Sequence, residues 1–206
     1  MNEIFGQIRD YLPKFLSSAA QAELFRELEQ FPDNIDSRIY SQIAKGSGEI
    51  YQGDGVCRLP VVNLPSSEMK EASCLILSNS CDISPANDRY LDGRIAYCPI
   101  VPLRKLKRLI EQVRPRGVED IMTSIRRQRL TTMFYLPVGG GVLEDSVAMF
   151  DHPLNCALTP DTYRDFAGRK AYSLSNYGFY LFLFKISVHM TRIADAVDRG
   201  AGEAPT

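Results

Sequence analysis

Three apolar runs follow one another with only turn-forming residues between them: GDGVCRLPVVNLP from Gly53, ASCLILSNSCDI from Ala72 and RIAYCPIVPL from Arg94. Each is short, rich in Val, Ile, Leu and Tyr, and bounded by Pro, Gly, Asn and Asp, the pattern of strands separated by turns. No crossover helix lies between them, and paired parallel strands need one. The block therefore predicts a mostly antiparallel sheet. Closing it into a small barrel is the economical way to remove its edges.

Helical patterns surround this block. Leu24, Phe25, Leu28 and Phe31 recur at helical spacing, with Ser17 or Ser18 placed to cap the helix and Pro32 to stop it. A second short pattern, Ile35, Ile39, Tyr40 and Ile43, ends at the glycines of KGSGE, the best candidate boundary in the chain. Residues 103 to 130 return to helix, broken by RPRG at 114 to 117. Strand texture resumes in TTMFYLPV and SVAMFDHPLNCAL, joined across Gly139-Gly140-Gly141, and residues 160 to 198 read as helix. The fold class expected is α+β: an N-terminal helical segment over 1–50, then a small antiparallel barrel unit over 51–198 with an inserted helical stretch (104–129) and a C-terminal helix. A tail over 199–206 completes the division.

The strand block resembles the MazF/PemK toxin family, on Gly53-Asp54 leading into a strand, Leu64-Pro65, the strand Leu75-Ile76-Leu77-Ser78-Asn79, and Ala96-Tyr97-Cys98-Pro99-Ile100. The resemblance covers roughly residues 53 to 103. It implies an SH3-like barrel, interaction with RNA or DNA, and a toxin–antitoxin or phage-defence setting. It also implies that an arginine before the LSN strand and a threonine after the CPI turn would serve an RNA-cutting site. Here Ala72-Ser73 and Val101 stand in those places, with Lys70 the nearest base. Valine can neither transfer a proton nor stabilise an oxyanion, so weak or absent RNA cleavage is expected. An antitoxin or other protein partner and a homodimer belong to the same expectation.

Composition excludes several classes. At 206 residues, 45% hydrophobic and 24% charged, the chain is long enough for a substantial core, and its formal net charge of -1 makes it no polycation as a whole. Cys57, Cys74, Cys81, Cys98 and Cys156 form no CxxC pair, and only two histidines are present, which argues against a structural metal site and for free thiols in a reducing cytoplasm. The start of the chain has no apolar core of secretory length, so no signal peptide is expected. The apolar tract YGFYLFLFKISVHM is interrupted by Lys185 and falls short of the ~20 residues that span a bilayer, so no membrane association is expected. The triple glycine lacks the Lys-Ser/Thr of a phosphate loop, and no cofactor motif is present.

Two candidate sites remain. Cys81 and Asp82 follow the LSN strand end, where a barrel mouth would meet a ligand. Cys81 would serve as the nucleophile of a cysteine-dependent hydrolase, although an adjacent Asp82 opposes thiolate formation and a buried structural role competes with it. The second is the insert. Between 104 and 129 stand nine basic residues, among them Arg104, Lys105, Lys107, Arg108, Arg126, Arg127 and Arg129, against three acidic ones, a local excess of six. Such clustering marks contact with a phosphate backbone. A solvated helix face, or a non-catalytic module docking a protein partner, is the competing account of the same charges.

Overall fold

A computed structural model describes residues 17–91 and 93–191; the 199–206 tail, the chain's first residues and the helical reading of 192–198 lie outside them. Among the described residues the chain is α+β, with seven antiparallel strands and helices on both faces of the sheet. Helix α1 (Ser18–Glu29) is capped by Ser17, whose side chain accepts the Ala20 N–H, and ends before Pro32. A 3-10 turn (Ser37–Ile39) and α2 (Gln42–Gly46) follow; Tyr40 between them is extended and bridges to Leu174. The Ile35–Ile43 pattern is therefore two short pieces rather than one helix.

Strands β1 (Gly55–Val62), β2 (Met69–Ile76) and β3 (Gly93–Pro102) pair consecutively and antiparallel, as their sequence texture requires. Helix α3 (Ser80–Ile83) lies between β2 and β3, capped by the Asn79 side chain. Helices α4 (Leu103–Val113) and α5 (Val118–Arg126) form the insert, parted at RPRG. Next come β4 (Met133–Leu136), β5 (Ser146–Met149), β6 (Leu154–Leu158), α6 (Pro160–Gly168), β7 (Lys170–Tyr172) and α7 (Asn176–Thr191). The 160–198 stretch is thus two helices split by a strand. The order across the sheet is β4-β5-β3-β2-β1-β7, with β6 also on β3.

The sheet is open, where strand count and edge protection led us to expect a closed barrel. Its edges are covered instead. Beside β4, the Gln128 side-chain amide accepts the Tyr135 N–H at 3.0 Å and donates to the Tyr135 carbonyl at 2.8 Å, filling the role of a neighbouring strand. Gln128 is buried and takes the left-handed conformation (φ 56°) that aims it there. At the other end α2 packs beside β7, and the Lys170 ammonium donates to the Ala44 and Glu49 carbonyls. Such coverage prevents edge-to-edge pairing as effectively as closure.

Alternation along the strands divides the core between the two faces. Leu75 and Cys98 join Phe134, Phe150, Tyr177 and Phe182 under α1 and α7. Their neighbours Cys74, Ile76 and Tyr97 face the opposite way, onto Phe166 of α6. Leu106, Met122 and Ile125 of the insert pack on Tyr135 and Val147. The aromatics concentrated in α7 are core residues, as their spacing suggested. Among the described residues no helix is long and apolar enough to cross a membrane.

Candidate functional site, a cleft between two diverging strands

Strands β2 and β3 pair only over Cys74↔Pro99 to Ile76↔Tyr97. Pro99 has no N–H to continue the ladder, and beyond it β3 pairs along its other edge with β5 (Ile100↔Ala148 to Pro102↔Ser146). The two strands part, and a cleft of about 880 Å³ opens between Lys70–Ser73 and Pro99–Pro102. Loop 141–144 and turn 151–153 wall it, and Gly55, Cys57 and Tyr172 close its inner end.

Local backbone chemistry shapes that end. The β1–β2 register slips between Val56 and Leu59, so Cys57 and Arg58 together face Ser73. Arg58 adopts φ 57° in this bulge, and its carbonyl is held by the Arg169 guanidinium. Bulges of this kind re-aim side chains; here the Ser73 hydroxyl lies 3.7 Å from the Cys57 sulfur. Gly55 is required because a Cβ there would stand 2.0 Å from the Tyr172 ring. The preceding Asp54 is buried, 3.6 Å from the Lys170 ammonium, and accepts the Tyr51 N–H. Desolvation nonetheless pushes its carboxyl up to about 6. Asp54 ties the start of β1 to β7 and is a structural anchor of the cleft.

The lining is apolar at its floor, through Val61, Ile100, Val101 and Leu154, with charges at its mouth. Lys70 stands on one bank and Lys105, in the first turn of α4, on the other; Glu71, Glu144, Asp151 and His152 complete the polar set. His152 is exposed in the turn that separates β5 from β6. Among the described residues no group of three or more His, Cys, Asp or Glu side chains is placed to hold a metal.

The residues singled out in the sequence separate into three sets. The first converges: Ala72-Ser73 and Pro99–Val101, which carry the family resemblance, line the cleft together with Lys70 and Lys105. The second does not reach it. Cys81 is exposed on α3, with its N–H bound by Asn79 and its carbonyl by Asn87, and the Asp82 carbonyl is held by Arg89. Neither lines the cleft, where His152 stands. The third is the rest of the insert, where acids partner four of the cations. Arg104 meets Glu144 at 2.6 Å, Lys107 meets Glu119 at 2.5 Å, Arg126 meets Asp145 at 3.8 Å, and Arg127 pairs with Asp33. No ion pair forms at Lys105, Arg108 or Arg129 among the described residues.

Thiol chemistry is narrowed by burial. Desolvation pushes the Cys74 thiol up to about 12 and raises Cys98 and Cys156 as well, so these three are packing residues. Cys57, beside Ser73, is the thiol that faces the cleft, a position legible only once the bulge is known. His189, a packed residue by sequence, rests against the Phe150 ring at 6.0 Å. No protein-family model matches the chain, and no curated protein sequence matches it.

Proposed function

We propose that the chain is a nucleic-acid-interacting protein of MazF/PemK-like descent, with its open sheet read as an SH3-like barrel parted at β2 and β3, and that it binds single strands in the cleft without cutting them efficiently. The observation that carries the reading is the convergence of segments 70–73 and 99–102 on one cleft, with Lys70 and Lys105 on opposite banks of an apolar floor. Cations at a groove mouth above apolar surface are what a phosphate backbone and its unstacked bases require. Ala72, Ser73 and Val101 supply no guanidinium or threonine hydroxyl at the places where the resemblance calls for them, which favours binding over turnover. Cellular roles in toxin–antitoxin or phage-defence systems follow from the resemblance alone.

Fluorescence anisotropy of labelled oligouridylate and oligothymidylate across a salt series tests this. Binding is expected to weaken with salt, and K70A together with K105A to reduce the slope of log K against log salt by about 1.4, two contacts at about 0.7 each. An unchanged slope in that variant contradicts the reading. Incubation with RNA is expected to give no multiple-turnover cleavage.

A second reading, a module that docks a protein partner, draws support from the four neutralised cations of the insert and from exposed Leu64 and Leu143 on the cleft's rim, 79% and 93% accessible. It predicts no salt-dependent oligonucleotide binding at all.

A further inference from the structure

Arg104 and Glu144 form a two-point contact at the cleft wall. Arg104 Nε lies 2.6 Å from one Glu144 oxygen and Nη2 donates to the other at 3.3 Å. Glu144 belongs to the loop that walls the cleft, and Lys105, the neighbour of Arg104, lines the same cleft. A forked guanidinium–carboxylate contact has the geometry by which arginine also grips a phosphodiester. Both partners are exposed enough to exchange, with side chains 75% and 38% accessible. An exposed ion pair of this kind is weak and yields readily to a competing anion.

We infer that Arg104 is a phosphate seat at the cleft wall which Glu144 occupies in the free protein, so that an entering strand must displace an internal carboxylate. The inference rests on the nucleic-acid reading above and adds a regulatory element to it. The Asp145 side chain accepts the Val138 N–H and its carbonyl the Leu103 N–H, so the loop stays anchored to α4 when Glu144 lets go. Displacement then needs a side-chain rotation rather than a loop opening. Each strand bound would trade one internal ion pair for one phosphate contact.

The test is a double-mutant cycle on binding of a labelled oligouridylate. Glu144→Gln is expected to tighten binding about two- to fivefold, the range an exposed ion pair allows, and to steepen the salt slope by about 0.7, one added phosphate contact. The same substitution on an Arg104→Ala background is expected to change affinity by less than about 1.5-fold, because the seat is gone. Equal gains on both backgrounds would show a general charge effect and overturn the inference while leaving the nucleic-acid reading in place. Absence of binding by every variant at low salt overturns both. Thermal unfolding of each variant checks that the fold is intact; Glu144 makes no buried contact that its amide would break.

Discussion

Replacing Gln128 with alanine lowers the unfolding free energy by about 2–4 kcal/mol, because it leaves the buried N–H and carbonyl of Tyr135 without partners and each such group costs about 1–3 kcal/mol. The residue lies 5% exposed, and its amide serves the edge of β4 with one donor and one acceptor. A substitution to glutamate keeps the acceptor but loses the donor, so its cost at neutral pH should be at least as large. Urea titration reads the effect as a lower midpoint with an unchanged denaturant slope. A loss below about 0.5 kcal/mol, the level of an ordinary surface change, would mean that β4 is protected in some other way.

Lysine 185 gives the second large effect, and it depends on pH. Its ammonium is buried in α7, donates to the Gln128 and Leu130 carbonyls, and has no carboxylate beside it. Burial lowers its pKa from the ordinary 10.5 to about 7. A depressed pKa means that the folded state prefers the neutral amine, whose two hydrogens match the two carbonyls. The associated stability is complete above pH 10.5 and is lost as pH falls toward 7, with a slope approaching 1.4 kcal/mol per unit. Buried tyrosines oppose stability at the alkaline end, so the informative window is pH 7 to 9. There the wild-type protein is expected to gain about 2 kcal/mol relative to Lys185→Met, which has no such proton to release. A constant difference between the two proteins across this window would show that Lys185 keeps its ordinary basicity.

Much of the architecture follows from local signals that long-range packing leaves intact. Pro32, the RPRG break and the triple-glycine hairpin all punctuate the chain where their chemistry demands. Gly139 and Val142 exchange backbone hydrogen bonds at 3.0 and 2.7 Å across Gly140-Gly141, both of which take positive φ. Strand β7 was hidden, since three residues between two helices carry no readable alternation. It exists because Gly55 admits the Tyr172 ring, a contact more than a hundred residues away in the chain.

The candidate site was legible only in pieces. Pro99 is plain in the sequence, but its power to split β2 from β3 requires the register. The Cys57–Ser73 neighbourhood depends on a bulge that no residue type announces, while Cys81 was conspicuous because it follows a strand end. The basic insert was visible as composition. Its division into paired and free cations depends on Asp33, Glu144 and Asp145, which lie outside it in sequence. Charge counting over a window sees none of them.

The central claim is that single strands lie in the cleft between β2 and β3. Photo-crosslinking of a 4-thiouridine-substituted oligonucleotide, followed by mass mapping of the attached peptides, tests it most directly. Attachment within 70–73, 99–105 and 151–154 is the predicted result, and excess unlabelled oligonucleotide should suppress it. Attachment confined to 81–89 or to 114–129, or none that competitor removes, would contradict the account.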